Sequence, residues 1–326
     1  MSSLTKAAAA AVLALLPWGC ARRETGATIV RSSALGALPK ESVAVIVLEV
    51  KSLRGLQAFA RFTEEIASEA DREGPLKGLR ERFGADLIQK VDRLGLAIVP
   101  QPGNAVGYGI LAEGSFDEAE MRQALGGGET LSLPTPEGRP DFNIAVLKSG
   151  ILALGPRQIL DVVRANLVRR GSGLDSNRTI LDLLAGVRPT AQVWGAADVR
   201  TMAQLGREAA AARGLGTALQ RSAPPSALVA FAFQGTIGTS VMLDLVGRAD
   251  GAEGARKLAD AARGLVALGR MGAAPGQAAD WIAFLDGIAI EQKGTEISLR
   301  ASVPPSLVSG LAEKARAAAA SLPAGP

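Results

Sequence analysis

Groups that could do covalent or acid–base chemistry are sparse in this chain of 326 residues. It contains no histidine. That removes the usual general base at neutral pH, the Ser-His-Asp and Cys-His arrangements, and most zinc or iron sites. Its one cysteine is Cys20, so a thiol nucleophile further along the chain is excluded. The one Ser-x-x-Lys, Ser3 to Lys6, sits at the head of an apolar N-terminal stretch, outside any catalytic context. Gly107-Tyr108-Gly109-Ile110-Leu111-Ala112 has the look of a dinucleotide-binding fingerprint. It lies inside a β-type run and not in a turn that opens a helix, so the context fails. Glycines in a strand mark a bulge or the close approach of another element.

Carboxylates are the remaining candidates. Glu64, Glu65, Glu69 and Asp71 lie close together on one expected helix. Paired acids can hydrolyse a glycosidic bond, but the interleaved Arg61 and Arg72 make this a solvated helix face. Trp194 and Trp281 could stack on a ligand; burial in a core is the expectation for both. No catalytic, cofactor-binding or metal-binding residues are assigned, and a non-enzymatic protein is expected. Residues are 48% apolar and 21% charged, with only 4% aromatic, so the core must be built from many small contacts. The net charge is +4 and the basic residues are interspersed. A nucleic-acid partner would leave a basic stripe with aromatics among it, and none is visible.

Residues 1–20, MSSLTKAAAAAVLALLPWGC, carry Lys6, an uncharged apolar run from Ala7 to Leu16, and then Gly19-Cys20. This is the layout of a secretion signal, too short to span a membrane as a helix. It resembles a bacterial lipoprotein signal, with Pro17 and Trp18 departing from the usual pattern before the cysteine. The resemblance implies removal of residues 1–19 and lipidation of Cys20. With Ala21 next, it also implies an exported protein anchored to the cell envelope at the outer membrane. Gly19-Cys20-Ala21 also has the small-x-small form of ordinary cleavage after Ala21, and an uncleaved helix is a third possibility. Residues 20–40 are expected to be the lipidated cysteine and a tether, because they are small and mixed, with Gly26, Gly36 and Pro39.

Hydrophobic periodicity then predicts an α+β protein of two similar halves, each an antiparallel sheet with helices on one face. The order β-α-β-β-α-β-β-α is expected over 41–172 and again over 190–320, with a connector at 173–189 and a tail at 321–326. The first half has strands at 43–50, 94–99, 106–112, 142–147 and 151–154. Its helices are expected at 53–67, 76–90, 116–125 and 157–170. The second half has strands at 191–197, 227–233, 240–246, 287–291 and 296–303. Its helices are expected at 199–220, 252–268 and after Pro304-Pro305, with a turn at Gly235 to Gly238. Gly114-x-x-Asp117-x-Ala119-Glu120 matches Gly247-x-x-Asp250-x-Ala252-Glu253 at one strand-to-helix junction. Glu49-Val50-Lys51-Ser52-Leu53 resembles Asp198-Val199-Arg200-Thr201-Met202 at another. The Asp/Glu pairs are expected to cap helices. The body resembles uncharacterised bacterial lipoproteins, which implies no activity. The expected function is non-enzymatic binding of a protein partner or envelope component. The alternative is carriage of an apolar ligand, such as a lipid, between the halves.

Overall fold

The computed structural model describes residues 24–56, 59–60, 82–84, 87–102, 105–133, 142–212, 227–238, 240–271, 278–304 and 307. The signal with Cys20, the acidic residues 64–71, most of the helices expected at 53–67 and 76–90, and the last helix beyond Leu307 lie outside them.

The apolar run around Val45 forms β1 (Ala44–Leu48). It pairs antiparallel with β2 (Val91–Gln101) on one side and β7 (Val193–Asp198) on the other. Beyond β2 lie β3 (Ala105–Gly114), β6 (Ile151–Gly155), β5 (Phe142–Lys148) and β4 (Thr130–Leu133). Beyond β7 lie β8 (Leu228–Ile237), β9 (Val241–Ala249), β11 (Glu296–Val303) and β10 (Ala289–Lys293). Among the described residues every pairing is antiparallel, and together they make one continuous sheet of 11 strands. The two halves therefore share a sheet. Ile46 faces Gly195 at the middle of the β1–β7 register. The Glu49 N–H donates to the Gln192 carbonyl at one end, and the Asp198 N–H to the Val43 carbonyl at the other, both at 2.8 Å. Outward from this seam the strand order is the same in both directions, apart from the extra edge strand β4.

Residues 26–38 correct the expectation of a tether. They form α1 (Gly26–Ser32) and a 3-10 turn (Ala34–Ala37), with Val30, Leu35 and Leu38 completely buried. The Thr25 hydroxyl caps α1 by accepting from the Thr28 N–H. Gly36 is a packing residue, not a linker residue: a Cβ there would stand 2.8 Å from the Val30 carbonyl oxygen. Six buried apolar side chains in thirteen residues are enough to hold a short segment when a groove waits for it, which local composition does not reveal.

Helices cover both faces of the sheet, not one. Completing the helices, α2 (Val50–Leu53) and α3 (Leu87–Lys90) flank β2, and α4 (Glu118–Ala124) packs on β5. The amphipathic α5 (Arg157–Val168) packs on β3, β5 and β6 through Ile159, Leu160 and Val163. A second 3-10 turn (Leu174–Ser176) leads to α6 (Arg178–Leu184), which lies on β7 and β8. Val45, Val47, Ala97, Leu111, Ala153, Trp194 and Ala232 form one core under α1, α5 and α6. Ala112, Ile144, Val146 and Leu152 alternate with these along the strands and form a second core with Met121 and Leu125 of α4. Asn143 to Val146 are buried without a break, and a strand with no solvated side needs two covers. In the second half, α7 (Val199–Ala212) packs on β7 and β8, α8 (Ala252–Met271) on β8 to β11, and α9 (Ala278–Asp286) on β11.

Two local differences follow from strand chemistry. β8 runs through Gly235-Thr236 to Ile237, where the sequence suggested a turn, because Thr236 and Ile237 pair with Met242 and Val241. Residues 130–133, outside the expected strands, form β4 on the edge against β5. The expected cap at Asp117 is present: its carboxylate accepts the Glu120 N–H at 2.8 Å at the start of α4. Asp117→Ala is expected to destabilise the fold by about 1 kcal/mol. In a urea titration this lowers the midpoint and leaves the slope unchanged; a midpoint equal to wild type contradicts it.

Candidate functional site: a charged cleft at one end of the central strands

Antiparallel pairing brings the end of β1, the start of β2 and the end of β3 to one edge. Leu48 faces Leu94, and Arg93 faces Glu113. The pairing of Glu113 with Ile151 adds the β5–β6 turn, Lys148-Ser149-Gly150. The end of α1 and the end of α5 close the sides. Between these elements is a cleft of about 590 Å³.

Its floor is a three-residue ion network. The Arg93 Nε–H donates to Glu49 Oε1 and the Nη1–H to Glu113 Oε2, each at 2.8 Å. The side chains are 23%, 15% and 18% exposed for Arg93, Glu49 and Glu113, so bulk water screens them only in part. Glu49 Oε1 also accepts the indole N–H of the buried Trp194 at 3.4 Å, and Glu113 Oε1 accepts the Ala34 N–H. Burial works to lower the Arg93 pKa, but hydrogen bonds and charges from Glu49 and Glu113 outweigh it and hold it above the ordinary arginine value. A raised pKa on a cation means that its stabilising contribution is complete below the unfolded-state value and lost only as pH passes the folded one. Arg93 is therefore a fixed cation across all ordinary pH.

Local backbone detail sets this geometry. A β-bulge falls between Val91 and Arg93. The extra residue, Asp92, turns to Arg54 at 3.2 Å, and Arg54 also donates to the Val91 carbonyl. A bulge re-aims neighbouring side chains in this way. Gly114 permits the crossing: a Cβ there would lie 2.0 Å from the Lys90 carbonyl oxygen. Its N–H donates to the Gly150 carbonyl at 2.9 Å, and the Ser115 N–H to the Lys90 carbonyl at 2.8 Å.

The rim is cationic. Lys51, Lys148 and Arg170 are exposed at the cleft, and none has an ion-pair partner among the described residues. The hydroxyls of Ser33 and Ser149 also line it. Acid catalysis on a glycosidic bond sets one carboxyl on each side of the bond; here Glu49 and Glu113 converge on the same guanidinium. A second charged cluster surrounds Asp244 on β9, but there the charges are satisfied. Asp244 takes Arg300 Nε–H at 2.8 Å, the Gln234 amide at 3.2 Å, and Arg188.

The residues singled out from the sequence lie elsewhere. Trp194 is in the core, and Trp281 is half-buried on α9 with its ring 5.4 Å from that of Phe284. Gly107 and Gly109 sit in β3 beneath Ile159, where added Cβ atoms would come within 2.9 and 2.8 Å of it. They allow α5 to approach and do not cradle a nucleotide. Glu49, Arg93 and Glu113 were not anticipated as a group. Each is a charge at the end of an apolar run, the commonest strand punctuation, and only the pairing register shows that the three meet. Among the described residues no cluster of His, Cys, Asp and Glu could hold a metal ion, and no helix is long and apolar enough to cross a membrane.

No protein-family model matches the chain, and no curated protein matches it either. It is similar to a solved structure, crystal form IV of TP0453, with a TM-score of 0.44 and 8% sequence identity over 85% of this chain and 95% of that one.

Proposed function

We propose that the chain is an exported, lipid-anchored and non-enzymatic protein of the cell envelope that binds a partner, a protein or another envelope component, through the charged cleft. The cleft carries this reading: it pairs a rigid, partly buried ion network with three rim cations that have no partner in the described fold. A lipid on Cys20 supplies the anchor, and the outer membrane is the proposed address. A carrier of apolar ligand needs an apolar cavity. The cleft around Arg93 is lined mainly by polar and charged groups, which favours a polar ligand there.

We further propose that the halves are copies of one unit. The shared strand order supports this, and so do matching details. Bulges fall between Val91 and Arg93 and between Leu228 and Ala230. The Gly114-to-Gly150 hydrogen bond has a counterpart from Ala249 to Thr295, and Ser115-to-Lys90 one from Asp250 to Ala227. By this register Gly114 corresponds to Ala249, two residues from the Gly247 suggested by local sequence. Arg93 and Glu113 then correspond to Ala230 and Arg248. The floor thus has no counterpart at these positions of the second copy and is not a requirement of the unit.

The test is the intact mass and membrane partitioning of the mature protein beside Cys20→Ala, followed by crosslinking in the envelope. The wild type is expected to carry acyl mass and to enter the membrane fraction, and the variant to do neither. A soluble mature chain starting at Arg22 overturns the anchor. A crosslinking pattern unchanged when Lys51, Lys148 and Arg170 are reversed in charge overturns the cleft as the binding site.

A further inference from the structure

We infer that the component bound in the cleft bears a phosphate group, held between Arg93 on the floor and Lys51, Lys148 and Arg170 on the rim; this rests on the binding reading above. The floor network sets two carboxylates on one guanidinium and so carries one net negative charge. Both oxygens of Glu113 are engaged, by the Ala34 N–H and Arg93, and Glu49 Oε1 takes Arg93 and the Trp194 indole, which leaves Glu49 Oε2 as the one floor oxygen without a partner among the described residues. Arg93 uses Nε and Nη1 in that network, and its Nη2 has no partner among the described residues although the side chain lines the cleft. Asp92, the remaining acid in the lining, is engaged by Arg54.

What the cleft offers to a ligand is therefore mainly donors. They are a guanidinium edge held in place from both sides, three rim cations and the hydroxyls of Ser33 and Ser149. Neutral Asn166 is likewise occupied, its amide donating to the Ala37 carbonyl and its oxygen accepting from Ser172. The three rim cations exceed the one net negative charge of the floor, and together with the free guanidinium edge they suit a phosphate, whose several oxygens take bidentate and point-charge donors together. A volume of about 590 Å³ admits the phosphate with a polar group of small-molecule size attached. The same chemistry is available from a soluble phosphomonoester or from an anionic phospholipid headgroup.

The experiment is calorimetric titration of the full chain in neutral detergent. The probes are inorganic phosphate, glycerol phosphate and, in a separate arm, vesicles of phosphatidylglycerol in phosphatidylcholine. The expected result is one saturable site for at least one probe, weakening as salt is raised because the rim cations are exposed. Preference between glycerol phosphate and the vesicles identifies the source. The Lys148→Glu/Arg170→Glu variant is expected to weaken binding at least tenfold. Arg157→Glu/Arg178→Glu, an equal charge change on two exposed residues outside the cleft, is expected to change it less than twofold. Equal losses in the two variants, or no saturable binding to any probe, overturn the phosphate assignment. If envelope crosslinking at the cleft persists in that case, binding by the cleft stands and its ligand is of another chemistry; if crosslinking fails too, both fall.

Discussion

Trp194→Ala is expected to lower the unfolding free energy by about 3–5 kcal/mol, the range for deleting a large buried aromatic. Trp194 is completely buried on β7, in the seam pair opposite Val47 and beside Gln234 of β8. The surrounding core is built largely of alanine, valine and leucine, and such small side chains cannot close over the space an indole leaves. The indole N–H also reaches Glu49 Oε1, so the substitution removes a donor from the cleft floor as well as volume from the core. Trp194→Phe keeps part of the ring and should fall between wild type and Trp194→Ala. Urea unfolding followed by far-ultraviolet circular dichroism measures both. A loss below about 1 kcal/mol for alanine would mean that the seam is not where the two halves are held together.

Arg93→Met is expected to cost about 3–5 kcal/mol, because removing one partner of a partly buried ion network leaves the others uncompensated. In this variant Glu49 and Glu113 remain as two carboxylates facing each other across the space the guanidinium held. The triple substitution Glu49→Gln, Arg93→Met, Glu113→Gln removes the charges together. It is expected to recover most of the loss, since neutral groups of similar shape leave no unpaired charge. Comparing urea midpoints for the two variants separates the worth of the network from the penalty of breaking it. If the triple variant is no more stable than Arg93→Met, charge imbalance is not the cause, and packing of the arginine stem is. Neither outcome bears on whether the rim binds a ligand, because Lys51, Lys148 and Arg170 are outside the network.

Much of the fold was legible because its signals are local. The run VAVIVLEV is too apolar for anything but a covered strand, and it became β1. The 3–4 spacing of Ile159, Leu160 and Val163 after Pro156 announced α5. The acid at Asp117 after a small-residue junction announced the cap of α4. Boundaries moved where pairing outweighed a local turn signal, as at Gly235, where a partner strand continued alongside. Residues 26–38 went unread because a linker and a short packed segment share a composition of small residues, and the groove that receives them is made by α5, α6 and the sheet.

The candidate site was the least legible part. Arg93 and Glu113 lie twenty residues apart, and Glu49 another forty-four before Arg93. Nothing about three isolated strand-end charges says that they share a guanidinium. The sequence by itself determined which chemistries are available, since histidine is absent and the lone cysteine is in the N-terminal stretch. It also determined the periodicities that choose strand or helix, because side-chain burial follows a repeat of about 2 or 3.6 residues whatever the neighbours are. Tertiary structure alone decided that one sheet runs through both halves, that helices cover both of its faces, and that Lys51, Arg93, Lys148 and Arg170, from separate elements and a turn, meet at one cleft. These are consequences of strand register and crossing geometry, and long-range pairing is set by the whole core at once, not by any window of the chain.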